Sequence, residues 1–505
     1  MTALLRLLVL VALLGAQLAT CACGAPRSGA AGGAVAVPVF MKRRPPLGPA
    51  RALPFPVATV TRLENGLQVW MLPKRDLPIL RLGALVLRGA SSDPPQRVGL
   101  AYATAELLES GAGARDALSF AAELEQMGAS IYSSADWDSM LVSIQALSRH
   151  EEQVLALLAD VVRRPRLEAE EFVRLGTQLR ARGEQRRTRA DRVAALALRR
   201  SLYGEHPYAR PLLPTPTEVD RLTVEDVRRF YRQHVRPENV VLVAVGDVVP
   251  ERLLRNLRAR FGDWKGSEEK PEERASGEPE ARELDAARVG PRRSPRLVLV
   301  RRRGASQSVI RVGHLLPPRA ATSEAAVRLI GTILGGCFTS RLNENLRERH
   351  GFTYGAHAVF DQPRGPGQFY AEAQVATKDT LAALDQLLYE LERLRSTDVP
   401  PAELRKGRRL VVEKLPARAE TVAGLLNAAV ELATHGRPAD ALGRLPEQVA
   451  RLDARGLRRA AASLLRPADA TIVVVGDTDR LAAALVARFG PAEWLTVDGE
   501  AIAAR

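Results

Sequence analysis

The sequence predicts an α+β protein built from two duplicated lobes, each a mainly antiparallel sheet covered by helices on one face. Three observations carry this. The residues Arg236, Pro237, Glu238, Asn239 and the apolar run that follows to Gly246 and Asp247 recur as Arg466, Pro467, Ala468, Asp469 and a second run to Gly476 and Asp477, every position offset by 230 residues. A stretch at 263–295, crowded with Glu, Lys, Arg, Pro and Gly, separates the two copies as a polar linker. Strands and helices also follow one another in a similar order on both sides of it.

The first copy opens on a hairpin at 58–63 and 67–72, because Asn65-Gly66 between two alternating apolar runs supplies the positive backbone angles of a tight turn. A strand at 79–88 follows, then helices at 99–109 and 114–127, then strands at 129–134 and 139–147. A helix at 150–163 and a long helical stretch at 168–203, continuous or broken, come next, read from the apolar period of 3.6. A helix at 224–234 leads into the β-branched strand of the repeat. The second copy has strands at 296–300 and 308–315, helices at 323–334 and 339–349, and strands at 353–360 and 367–375. Helices at 380–395, 401–415 and 420–434 continue it, and a helix at 454–465 again precedes the repeated strand.

With 505 residues and 46% hydrophobic content, the chain has room for more than one full core. The net charge of +15 would suit nucleic acid, yet the basic residues are interleaved with acids on helix-like stretches such as Glu168, Glu170, Glu171 and Arg174. No recognition motif accompanies them, so no nucleic-acid partner is expected. Residues 1–22 carry one charge at Arg6, an apolar run and then small residues before Cys21 and Cys23, which is the pattern of a signal peptide. Either cysteine could be a lipid attachment site, so the expected location is outside the cytoplasm, in the periplasm, free or anchored by lipid. The remaining cysteine, Cys337, excludes a disulfide framework and reads as a small core residue. The expected organisation is a signal at 1–22, a tether at 23–56, lobes at 57–262 and 296–490, the linker at 263–295 and a tail at 491–505.

Several segments resemble the insulinase and pitrilysin metallopeptidases, specifically the shorter bacterial members that work as paired chains. In the first lobe they are Gly99-Leu100-Ala101, the run from Leu202 to Tyr208 (Leu-Tyr-Gly-Glu-His-Pro-Tyr) and Arg236 to Asn239; in the second, Thr339-Ser340-Arg341-Leu342, Leu346-Arg347-Glu348 and Gly351-Phe352-Thr353-Tyr354. The resemblance implies a clamp formed by the two lobes. It also implies that the Gly-Leu-Ala segment should run into H-x-x-E-H on a helix, two histidines one turn apart binding zinc and the Glu activating water. The matching positions are Tyr102, Ala103, Thr104, Ala105 and Glu106, so both ligands and the base are replaced. The family's third ligand should fall at 181–183, where Ala181, Arg182 and Gly183 stand, with Glu184 the nearest carboxylate. No two of the seven histidines lie four apart, so no zinc helix of either polarity can be written.

Glu106 and Glu109 therefore read as solvated surface rather than an acid/base pair. In the second lobe, Arg347 and Tyr354 stand at the seven-residue spacing of the pair with which such peptidases hold the substrate. In that role Arg347 would bind the peptide and the Tyr354 hydroxyl would donate to the oxyanion at the scissile carbonyl. The alternative is that Arg347 ends a helix and Tyr354 packs at a strand start. The resemblance thus implies a subunit with no catalytic residue and no cofactor of its own, lending Arg347 and Tyr354 to a zinc-bearing homologous partner that cleaves peptides. A catalytically dead scaffold or peptide-binding protein of the same fold is the competing expectation.

Overall fold

The computed structural model describes residues 54–266 and 296–502. Cys21, Cys23, the signal, nearly all of the tether and most of the linker lie outside the described residues.

In the first half, β1 (Thr59–Arg62) and β2 (Gln68–Pro73) form the antiparallel hairpin, with Gly66 at the turn at φ +89°. There follow β3 (Ile79–Val86), α1 (Leu100–Leu107), α2 (Ala117–Gln126), β4 (Ser130–Ala135), β5 (Met140–Leu147), α3 (Glu151–Arg163), α4 (Ala169–Thr188), α5 (Ala190–Tyr203), α6 (Val224–His234), β6 (Val240–Gly246) and α7 (Pro250–Phe261). The long helical stretch breaks at Arg189, whose backbone is extended. The strands form one sheet in the order β1-β2-β6-β3-β5-β4, with β2 and β6 its parallel pair.

The second half contributes β7 (Arg296–Arg301), β8 (Gln307–Leu316), α8 (Glu324–Leu334), a π-helix (Asn343–Arg349), β9 (Ala356–Asp361), β10 (Gly367–Ala376), α9 (Thr380–Ser396), α10 (Pro401–Glu420), α11 (Val422–Thr434), α12 (Ala441–Arg451), α13 (Ala454–Leu464), β11 (Thr471–Gly476), α14 (Thr478–Phe489), β12 (Ala492–Leu495) and β13 (Ala501–Ile502). Its sheet runs β13-β12-β7-β11-β8-β10-β9. The inner order β2-β6-β3-β5-β4 therefore reappears as β7-β11-β8-β10-β9, with β11 parallel to β7 and antiparallel to β8. β12 and β13 correct the reading of 491–505 as a tail: at four and two residues they are too short to carry a periodic signal.

Each sheet packs its own helices on one face. Val69, Leu82, Val142 and Leu242 meet α1, α3, α6 and α7 in one core; Leu299, Val312, Phe369 and Val474 meet α8, α9, α12 and α13 in another. The opposite faces are covered by exchange. Ala194, Ala197 and Leu198 of α5, in the first half of the chain, lie on Val298, Val309 and Val475 of the second sheet. Leu425, Leu426 and Ala429 of α11, in the second half, join Trp70, Leu85 and Val243 of the first sheet. Burial on both faces explains why β6 and β11 read as unbroken apolar runs rather than alternating ones.

Candidate functional site

The helix that would carry the zinc ligands is α1, and its start is fixed locally. Gly99 has φ +86° and packs so close to Pro214 that a Cβ would lie 2.6 Å from that ring. The buried Asp93 carboxylate accepts the backbone N–H groups of Gly99 at 2.8 Å, Leu100 at 3.1 Å and Ala101 at 2.8 Å, satisfying donors that the helix cannot pair itself. From this start Tyr102 and Glu106 project together, one turn apart, with Ala105 buried beside them.

Across from them stands Arg182 on α4. That helix is drawn in by Gly183, whose missing side chain admits Pro216; a Cβ there would be 3.1 Å from Pro216 Cδ. One guanidinium nitrogen of Arg182 donates to the Tyr102 hydroxyl at 3.2 Å and to Glu106 Oε2 at 3.0 Å. Tyr102 and Glu106, at the positions matched to the family's two histidines, thus converge with Arg182, one of the three residues expected to span the third ligand, in an arginine–tyrosine–glutamate cluster. Burial and the nearby Glu106 push the Tyr102 hydroxyl above its ordinary pKa, so it stays a neutral phenol. A guanidinium has no lone pair to give and brings its own positive charge, so this donor set does not fit zinc. Among the described residues no three His, Cys, Asp or Glu side chains are grouped to hold a metal. Glu184, the nearest carboxylate, pairs with Arg187 at 2.7 Å. Sequence reasoning read Glu106 as solvated and missed its partner, since an arginine 76 positions away leaves no periodic signal.

In the second half, the segment carrying Arg347 and Tyr354 is held by buried polar residues. Asn343 donates its side-chain amide to Ala356 O at 2.9 Å and accepts the Ala356 N–H at 2.9 Å, closing the loop between the π-helix and β9. Arg341, in the Ser-Arg-Leu segment, is buried and makes a two-pronged bond to Glu403 of α10 at 2.9 Å for each prong. Its role is to tie this loop to the helix layer. Arg347 sits on the π-helix, a distortion concentrated at functional sites, with its guanidinium carbon 3.9 Å from the centre of the Phe338 ring. Phe338 is 64% exposed and Tyr354 93% exposed. Tyr354 therefore does not pack at a strand start. Cys337 lies half-buried in the turn beside Phe338, with its Sγ 3.6 Å from Thr332 O, which corrects its reading as a core residue.

The family model described as insulinase, peptidase family M16, matches residues 78–216, and that of the M16 peptidase inactive domain matches residues 221–411. The chain belongs to peptidase family M16. An uncharacterized zinc protease of Mycobacterium tuberculosis is 27% identical over 325 residues, covering 64% of this chain and 70% of that protein. The non-peptidase homolog YmxG of Helicobacter pylori is 21% identical over 342 residues, covering 67% and 75%. Among solved structures, an M16 inactive domain from Pseudomonas fluorescens superposes with a TM-score of 0.73 at 23% identity, over 83% of this chain and 98% of that one. The periplasmic protease PqqL of Escherichia coli superposes with a TM-score of 0.69 at 16% identity, over 85% of this chain but 46% of PqqL. These likenesses establish the two-lobed M16 fold, and both zinc proteases and a non-peptidase stand among the family relatives. Among the described residues no helix is long and apolar enough to cross a membrane.

Proposed function

We propose that this chain is a non-catalytic subunit of a heteromeric M16 peptidase, contributing Arg347 and Tyr354 to peptides held by a zinc-bearing homologous partner. The observation that carries the reading is the contrast between the halves. In the first, Arg182 closes the ligand positions Tyr102 and Glu106 on themselves. In the second, Tyr354 is left almost wholly in solvent, where a phenol does nothing for the core, and the Arg347 guanidinium lies over the Phe338 ring. Pairing is supported by size: PqqL is about twice the length that this chain spans. Export, by the signal at 1–22, would place the assembly in the periplasm, free or lipid-anchored at Cys21 or Cys23.

In this assembly the Tyr354 hydroxyl would donate to the oxyanion formed at the scissile carbonyl, and Arg347 would hold the peptide before the chemistry begins. The test is co-purification with the homologous chain from the same organism that carries H-x-x-E-H, followed by peptide hydrolysis. Tyr354→Phe should cost about 10²- to 10³-fold in kcat, whereas Arg347→Ala should also raise KM. Both variants should still assemble. Unmodified rates in both assembled variants would end the substrate-binding role.

A further inference from the structure

Arg341 and Arg347 stand in one segment of the second half and are held in opposite ways. Glu403 takes the Arg341 guanidinium edge-on, through two N–H groups at 2.9 Å each, so the donors of that edge are used up inside the protein. The Arg347 guanidinium is held by its face instead, its central carbon 3.9 Å from the centre of the Phe338 ring. Among the described residues its ion partner is the neighbouring Glu348 at 3.6 Å, beyond hydrogen-bond length. Stacking fixes the plane of a guanidinium without using its N–H groups, which stay free for a ligand.

The turn that presents the ring is fixed at its backbone. Gly335, at the end of α8, packs so close to β9 that a Cβ would lie 2.2 Å from Ala358 N, and on Gly336 a Cβ would lie 2.9 Å from Thr332 Cα. The carbonyl of Gly336 accepts Lys414 Nζ at 3.2 Å, that of Cys337 accepts the Asn343 amide at 3.2 Å, and that of Thr339 accepts Lys406 Nζ at 2.7 Å. Carbonyls on both sides of Phe338 are thus tied to α10 and to the π-helix. The ring itself stays 64% exposed and joins none of the hydrophobic cores.

We infer that Phe338 is a positioning residue for Arg347, holding the guanidinium by its face so that the N–H edge meets the peptide already oriented. This rests on the proposed substrate-binding role of Arg347. An unrestrained arginine has among the largest rotamer entropies of any side chain, and a ligand that captures it must freeze it. A ring that freezes it beforehand shifts that loss from binding to folding. The gain falls on the bound substrate and the transition state alike, so it is read in KM rather than in kcat.

The test is peptide hydrolysis by the co-purified assembly. Phe338→Leu, which keeps apolar bulk without a ring, should raise KM about 3- to 30-fold at nearly unchanged kcat, the range of a cation–π contact. Phe338→Tyr, which keeps the ring, should bring KM back. In an Arg347→Ala background Phe338→Leu should add nothing, because the ring acts only through the arginine. An equal rise with and without Arg347 would make the ring a contact of the peptide itself and overturn the inference. A rise in Arg347→Ala with none in Phe338→Leu overturns the inference alone, whereas an unchanged KM in Arg347→Ala removes the substrate-binding reading and the inference with it. One arm needs neither partner nor turnover. In the mature chain by itself, nuclear relaxation of the Arg347 side-chain nitrogen, assigned by the loss of its signal in Arg347→Lys, should show an ordered guanidinium that becomes mobile in Phe338→Leu. Equal order in both would overturn the positioning role.

Discussion

Leu198 of α5 lies over Gly313 of β8 so closely that a Cβ on that glycine would stand 2.8 Å from Leu198 Cδ2. The duplicated position, Gly83 of β3, meets Leu426 of α11, where a Cβ would be 3.2 Å from its Cδ1. The two glycines are 230 residues apart, the offset of the sequence repeat. Each admits a helix supplied by the other half, so neither sheet is fully covered until the whole chain has folded.

Gly313→Ala should destabilise the protein by about 1–3 kcal/mol, since the new methyl meets Leu198 and also the Phe369 carbonyl oxygen at 2.6 Å, which is backbone and cannot swing away. Gly83→Ala should cost less, because its neighbours Leu426 and Leu141 are flexible side-chain ends. Denaturant unfolding of both variants measures the difference. An unchanged midpoint for Gly313→Ala would count against the close seating of α5.

Restoring the family residues together, with Tyr102→His, Ala105→Glu, Glu106→His and Arg182→Glu, should create a site for one zinc ion, because Tyr102, Glu106 and Arg182 already converge across α1 and α4. Elemental analysis after dialysis should find one equivalent in the variant and none in the unmodified chain. Arg182→Ala by itself should cost under about 1 kcal/mol, as its ion pair is partly exposed. If the fourfold variant takes up no zinc, Arg182 does not stand in the place of the third ligand.

Glu403→Ala should cost about 3 kcal/mol, because it strands the guanidinium of Arg341, whose side chain is only 4% exposed. Arg347→Ala should barely change stability, its stacking on Phe338 being at the surface. Thermal unfolding of the two variants side by side separates the arginine that holds the loop from the one that faces outward. Similar losses in both would refute that division.

Stability should fall as pH drops from about 6.5 towards 4. Burial holds His314 down to about 4 and His234 down to about 3. For His314 the geometry agrees: Nε2 accepts the Arg466 N–H at 3.0 Å and the other ring nitrogen faces Leu315 O, so the neutral ring is the bonded form. The folded value lies below the unfolded one. Between the two the unfolded chain binds the extra proton, and stability present above pH 6.5 is lost on acidification, by roughly 3 kcal/mol per residue at most. Asp93, which burial pushes up to about 7, acts in the opposite sense, so the effect is read as the difference between the unmodified chain and His314→Gln. A pH profile of denaturation that is identical for the two would contradict it.

The sequence by itself determined what is local. Asn65-Gly66 fixes a hairpin, the apolar runs before Gly246 and Gly476 fix two doubly buried strands, and their offset of 230 shows that one lobe was copied. It also determined that H-x-x-E-H is missing, because that motif needs side chains one helical turn apart and can be checked position by position. Only the tertiary structure decided which helix covers which sheet face. α5 and α11 are amphipathic helices whose periodicity says that they cover a sheet and is silent on whose. Likewise, Arg182 reads only as one of three positions where the third ligand is lost until α4 is laid against α1, and only burial shows that Arg341 is tied to Glu403 while Arg347 rests on Phe338 at the surface. Contacts between residues far apart in the chain depend on how the elements pack, and no spacing within a single element encodes that.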